Sequence, residues 1–306
     1  MTYVIGHKSP DLDSVAAAVA YARFKNKMAG TDIYEPARAG ELNKETHYLL
    51  EKAGIKTPKM PDSLDGEQVI LVDHNENSQS LDGIEKAEIV EILDHHKMNF
   101  SYDQPIEITV KPWGASCSII AHKFFENNID IDKGLALLML GAVLVDTVIT
   151  KSPTSTDMDK QMIEKLSEIA EIADWHEFGM EIFKVRSSLE GLAISKIIEN
   201  DAKEFDLKSG KFFINQLETA DLESVKEKES EIMEEMKKLK DEKSYHTVIT
   251  FITDIINEGS KFLVATDDKE KMEKALGKSL DEDVYLEGVM SRKKQVIPML
   301  SEIFDK

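Results

Sequence analysis

The chain has 306 residues, 42% hydrophobic and 31% charged, a balance that allows two domains with their own cores and excludes a disordered or fibrous chain. A net charge of −20 excludes a broad nucleic-acid surface, which takes clustered Lys and Arg, although metals and a few cations can still reverse the field inside one cleft for a small anion. The single Cys117 excludes an intrachain disulfide, and the longest apolar run, 135–145, is too short to span a bilayer.

In chain order, residues 2–5 read as a short strand and 15–24 as an Ala-rich helix, followed by a strand over 33–37 and a helix over 44–53. Two apolar strands follow at 68–72 and 88–93 and a weaker one at 106–110, then helices at 116–126, 135–147 and 157–173. Thr156 with Asp159 three residues on resembles a capping box, with Asp in place of the usual Glu. Strand–helix alternation predicts an α/β domain with a mainly parallel sheet over 1–187. A smaller α/β domain is expected over 188–306, after a linker at 186–191, with strands at 212–216, 247–252 and 262–265 and a last helix after Arg292. The charged segment 220–240 keeps Val225, Ile232, Met233, Met236 and Leu239 on one face and reads as a helix packed on that domain rather than a binding surface. With no secretory apolar region at the start, the expectation is a cytoplasmic protein without a membrane or nucleic-acid partner.

The chemistry concentrates in a few clusters. GHKSPDLDS (6–14) lies where the first strand passes into the first helix. DHNE (73–76) and DHHK (94–97) follow the two apolar strands, and Asp146 closes the apolar helix. Taken singly, an Asp-x-Asp before a helix is ordinarily an N-cap, a His-His pair a solvated loop, and Asp73 a turn residue. Taken together, they fall at the carboxyl ends of strands, where open α/β sheets bind ligands, and a buried Asp146 needs a cationic partner. Imidazoles mixed with carboxylates and no thiolate suit Mn²⁺, Co²⁺ or Mg²⁺, with Zn²⁺ also admitted. Several carboxylates could bridge two ions about 3.5–4 Å apart, the spacing of two-metal phosphoryl chemistry. The amide groups at the Ser14 end of the first helix are expected to face an anion.

These pieces resemble the family II inorganic pyrophosphatases of the Asp-His-His phosphoesterase superfamily. The matching segments are GHKSPDLDS at 6–14, LVDHNE at 71–76, LDHHK at 93–97, DT at 146–147 with KSPT at 151–154, and SRKKQVIP at 291–298. The resemblance implies a short form without the regulatory CBS insert, a homodimer, and an active site in the cleft between the two domains. It implies His7 and Asp11 on one metal, Asp13 and His95 on the other, and Asp73 and Asp146 touching both. His96 is implied as acid or hydrogen-bond donor to the departing phosphate, and Arg292, Lys293 and Lys203 as phosphate contacts from the second domain. Arg292 and Lys293 are expected inside the cleft, with Lys294 nearer its rim. The implied reaction is hydrolysis of inorganic pyrophosphate by a water between two Mn²⁺ (or Co²⁺) ions, with additional Mg²⁺ arriving on the substrate. Val145 and Thr150 stand where the family usually has Ser and Phe, and the 114–118 segment has Ser where Thr is common; none is an assigned ligand. The rivals are a phosphodiesterase or exopolyphosphatase of the same superfamily, and a non-catalytic sensor of phosphate or metal.

Overall fold

Short apolar strands alternating with longer helices organise the first part of the chain. The computed structural model describes residues 1–189 and 191–305 and divides into two units, Met1–Arg186 and Ser187–Lys306. The first unit contains β1 (Thr2–Ile5), α1 (Leu12–Ala29), β2 (Tyr34–Ala37), α2 (Lys44–Lys52), β3 (Gln68–Val72), β4 (Glu88–Asp94), β5 (Glu107–Val110), α3 (Ser116–Glu126), α4 (Lys133–Asp146), α5 (Asp157–Ala170) and α6 (Trp175–Ser187). Its sheet runs β2-β1-β3-β4-β5 with every pairing parallel. The order reverses between β1 and β3, so the chain leaves these neighbours in opposite directions and opens a crevice at their carboxyl ends.

Ile5, Val69, Leu71, Ile89 and Ile92 pack with Leu64, Ile84 and Ala87 from the irregular segments around β3 and β4. α1 packs on β1 and β2 and touches α3 and α4, which explains why Leu12–Ala22 is buried throughout. α1 starts at Leu12, ahead of the expected 15–24, with Asp11 as its N-cap, accepting from the Ser14 N–H. The Ser14 side chain is thereby released to accept the His7 N–H at 2.9 Å. The Thr156/Asp159 capping box is present at the start of α5.

The second unit contains α7 (Ile194–Glu199), β6 (Ala202–Leu207), β7 (Gly210–Thr219), α8 (Leu222–Lys226), α9 (Glu229–Lys243), β8 (Thr247–Asp254), β9 (Gly259–Thr266), α10 (Lys269–Leu276), β10 (Tyr285–Glu287), a π-helical turn over Arg292–Val296 and α11 (Ile297–Phe304). Its mixed sheet runs β10-β9-β8-β7-β6, with only β7 and β8 parallel. Both faces are covered. Ile249 and Phe251 of β8 face the cluster with Met272, Leu300 and Phe304, while Val248 and Ile252 face Ile232 and Met236 of α9. That arrangement buries all of β8, its threonines along with its apolar residues. The expected helix 220–240 is broken between α8 and α9, and β6 and β10 went unforeseen because their polar, half-exposed residues carry little hydrophobic signal. Of the expected linker 186–191, Arg186 and Ser187 are still helical, and Glu190 lies outside the described residues.

Candidate metal centre

β1 delivers the first ligand group. Gly6 follows β1 and passes so close to α1 that a Cβ there would overlap the Ser14 hydroxyl. His7 comes next, with Nδ1 2.8 Å from the Lys8 carbonyl. A carbonyl only accepts, so Nδ1 carries the proton and the Nε2 lone pair points into the site. There it lies 3.5 Å from an Asp11 oxygen and 3.5 Å from Asp73 Oδ2.

β4 delivers the second group by the same device. His95 Nδ1 donates to the Trp113 carbonyl at 3.0 Å, which turns Nε2 towards Asp73 Oδ1 at 3.3 Å and Asp146 Oδ2 at 3.8 Å. Although within ion-pair range, His95 Nε2 is buried without a hydrogen bond of acceptable geometry. A bare lone pair aimed at carboxylate oxygens is repulsive, so Nε2 must carry a proton or face a cation, and a divalent metal meets the second condition. His96 is about half exposed, and its Nδ1 is 2.9 Å from Asp94 Oδ1. Asp94 also accepts from the His95 and His96 amides and from Asn75 Nδ2, so a fully buried carboxylate sets the orientation of His96.

The carboxylates between the imidazoles are held individually. Asp73 follows β3 with φ of 62°, a left-handed conformation costly for a residue with a side chain, and its Oδ1 accepts from Ser116 Oγ at 2.9 Å. Its two oxygens face different imidazoles, Oδ2 towards His7 and Oδ1 towards His95. Asp13, in the first turn of α1, accepts from the Ser116 and Cys117 amides at 2.6 and 3.0 Å, at the N-terminus of α3 where the helix dipole favours an anion. Asp146 ends α4, and the chain beyond it turns through Val148, Ile149 and Thr150 at φ of 49°, 52° and 67°, values that β-branched residues rarely adopt. Thr147 supports that turn, its hydroxyl donating to the Val143 carbonyl and accepting from the Thr150 amide.

The expected ligands thus gather into groups whose donor atoms lie within 4.8 Å of one another: His7, Asp11 and Asp73; Asp13, His95 and Asp146; and Asp73, His95 and His96. Asp146 stands with Asp13 and His95, and Asp73 stands in the groups of both His7 and His95. Beside them lies a cavity of about 550 Å³ lined by His7, Asp73, His74, His96 and Lys97 among others.

The electrostatics show what the protein's own charges leave unbalanced. Burial, then repulsion by Asp13, Asp73 and Asp11, holds the Asp146 carboxyl well above its usual range. Burial and Asp73 raise Asp13 to about 7. Burial opposes charge on both imidazoles but is outweighed, for His7 by Asp11 and Asp73, raising it to about 11, and for His95 chiefly by Asp73, raising it to about 10. Burial likewise opposes the Asp73 carboxylate, and His7 and His95 overcome it to hold that group below the ordinary range. The cluster therefore retains positive charge strongly, as protons or as metal.

In the second unit Arg292 opens the π-helical turn and is buried. Its guanidinium donates to the Asp201 and Ile214 carbonyls and, at 2.8 Å, to Asp201 Oδ1. Lys203 on β6 pairs in register with Ile214, so Lys203 and Arg292 meet at the same β7 residue. Lys203, Lys293 and Lys294 are exposed.

The sequence assigns no role to the residues that hold these ligands: Trp113, Ser116 and Cys117 by their backbone or hydroxyl, and Asp94 and Asn75 around His96, although the last two stand in the clusters at 94–97 and 73–76. Asp94 ends an apolar strand, and that position is the signal for its buried supporting role. For the 113–117 segment, the only signal was Gly-Ala-Ser before a helix.

Comparison with known proteins agrees with this geometry. Residues 1–143 match the DHH family N-terminal domain, and residues 180–303 match the DHHA2 domain. The chain is 43% identical to the manganese-dependent inorganic pyrophosphatase of Methanocaldococcus jannaschii, over 100% of both chains. It is 38% identical to that of Bacillus subtilis, over 98% of this chain and 97% of the relative. A Methanococcus jannaschii crystal structure assigned to the family II inorganic pyrophosphatases matches with TM-score 0.65 at 40% identity, covering 100% of each chain. An exopolyphosphatase-related protein from Bacteroides fragilis shares the fold, with TM-score 0.51 at 12% identity over 98% of this chain and 92% of that one.

Proposed function

The chain belongs to the family II inorganic pyrophosphatases, and on that premise we propose that it hydrolyses inorganic pyrophosphate to two phosphates in a manganese-dependent reaction centred on Asp73. The observation that carries the proposal is the single Asp73 carboxylate with one oxygen towards His7 and the other towards His95, which suits a ligand shared by two ions. His7 and Asp11 would complete one site and Asp13 and His95 the other, with Asp146, beside Asp13 and His95, expected to touch both. Two divalent ions, Mn²⁺ or Co²⁺, with further Mg²⁺ accompanying the substrate, would supply the Lewis acidity that activates the attacking water and screens phosphate charge.

The chain's own groups do the rest. The Lys8 and Trp113 carbonyls fix the His7 and His95 tautomers, so neither ring turns to bind through Nδ1. Asp94 fixes His96 through Nδ1 and raises its affinity for a proton, leaving Nε2–H to donate to the departing phosphate. Arg292, Lys293 and Lys203 are assigned to the phosphate oxygens, where fixed cations favour charge that develops on the leaving group. Residues 1–187 would thus form the metal-binding domain and 188–306 the substrate-binding one. On the family's precedent the protein would act in the cytoplasm as a homodimer; among the described residues no helix is long and apolar enough to cross a membrane.

The test is phosphate release from pyrophosphate by protein stripped of metal and reloaded with Mn²⁺, Co²⁺ or Mg²⁺, run beside short nucleotides and polyphosphate. Turnover of pyrophosphate well above the others is expected. Preference for a nucleotide or polyphosphate would transfer the site to the superfamily rivals, and no turnover by fully loaded protein would overturn the enzymatic reading.

A further inference from the structure

The segment 113–117, which leads from the β5–α3 connection into the first turn of α3, touches the candidate centre at several points. The Trp113 carbonyl holds His95, Ser116 Oγ holds Asp73, and the Ser116 and Cys117 amides hold Asp13. A displacement of this platform would move three candidate ligands at once, so what fixes the platform matters as much as what fixes each ligand.

Asp159 is placed to do so. It is fully buried in the first turn of α5, and its Oδ2 accepts the Gly114 N–H at 2.8 Å. The same oxygen takes the Thr156 N–H and hydroxyl, while Oδ1 is buried with no hydrogen-bond partner. Gly114 is held from the other side as well: a Cβ there would fall 2.6 Å from Thr147 Cγ2 and 2.9 Å from Asp159 Oδ2. Thr147 is the residue after Asp146 and caps α4. The 113–117 backbone is therefore clamped between the start of α5 and the end of α4.

We propose that Asp159 is a positioning residue of the metal centre: through the Gly114 amide it sets the Trp113 carbonyl and the α3 N-terminus, and so the placement of His95, Asp13 and Asp73. The inference rests on the metal reading above and goes beyond helix capping. It also has a chemical signature. All the donors that Asp159 receives go to one oxygen, so an asparagine whose amide oxygen takes the place of Oδ2 can serve in its stead, whereas alanine cannot.

Equilibrium dialysis with Mn²⁺ and the visible absorption of the Co²⁺-loaded protein read the centre without any assay of turnover. Asp159→Ala is expected to weaken Mn²⁺ binding by about 10–100-fold, the range for outer-shell partners of metal ligands, and to alter the Co²⁺ bands. Asp159→Asn should stay within a few-fold of the parent in affinity and keep its spectrum. Thr156→Val removes the cap hydroxyl but leaves the Gly114 contact, so it should lower thermal stability and spare both metal readouts. If Asp159→Ala does not fold, Gly114→Ala replaces it, because its new Cβ must push the platform off Asp159 or Thr147, and the same weakening is expected. Parent-like metal binding in the folded Ala variant, or equal losses in Thr156→Val and Asp159→Ala, would overturn the proposal. A parent protein that binds neither ion would instead overturn the metal reading itself.

Discussion

The two units treat buried charge in opposite ways. The first gathers carboxylates and imidazoles whose lone pairs converge, and in Asp146 and Asp13 burial, then repulsion by neighbouring carboxylates, leaves carboxyls that retain protons above the usual range. The second buries one guanidinium, Arg292, and satisfies it internally with the Asp201 carboxylate and two carbonyls. An unbalanced acid cluster in a core is costly unless a cation belongs there, whereas a neutralised arginine is stable as it stands. The first unit is therefore organised to recruit charge. The second keeps its buried cation neutralised by internal partners.

Substitutions should separate the two cases, and the largest effect is expected at Asp73. Asp73→Ala removes the carboxylate that faces both imidazoles. Metal binding measured by dialysis should fall by well over the roughly 100-fold of an outer-shell change, taking phosphate release with it. Next, His96→Gln should cost about 10²–10⁴-fold in kcat, the scale of a lost general acid, with metal content retained; loss of metal would instead make His96 a ligand beside Asp73 and His95. Arg292→Ala should lower kcat/KM by about 10²–10³-fold with metal content unchanged, since one preorganised donor to developing charge is worth that much. Loss of metal in that variant would contradict the division of labour between the units.

Two smaller effects sharpen the same contrast. In metal-free protein, Asp13 is raised to about 7 and Asp146 well above its usual value, and His95 and His7 are raised to about 10 and 11. Stability from all four is present below their unfolded values and is lost as pH climbs through the folded ones. The Tm of chelated protein should therefore drop from about pH 4, where the aspartates begin to lose their contribution, to about pH 10–11, where the imidazoles finish losing theirs, while Mn²⁺ affinity rises over the same window as protons cease to compete. Asp201→Ala should lower stability by only ~1–2 kcal/mol, because Asp201 is half exposed, and leave metal binding untouched; denaturant unfolding of loaded protein checks this.

Much of the first sheet was legible because its strands are short apolar runs ending in acids and histidines. His7, Asp73 and His95 all follow such runs, and parallel pairing carries them to one edge. What escaped was the support. Asp13 is held by Ser116 more than a hundred residues away, and nothing local to either residue announces that bond. The π-helical turn at Arg292 and the Asp201 contact are likewise products of packing, where the sequence offered only a basic run before an apolar helix. In the second unit β6 was missed for a physical reason. Ala202–Leu207 is a partly exposed edge strand paired with β7, so it lacks the burial that marks β8 and much of β7.

The most direct measurement is anomalous diffraction at the manganese edge from crystals of the protein grown with Mn²⁺. The account predicts two peaks in the first unit, one beside His7 and Asp11 and one beside Asp13, His95 and Asp146, each in contact with a different oxygen of Asp73. A single peak, or a pair that leaves Asp73 unbound, would contradict it.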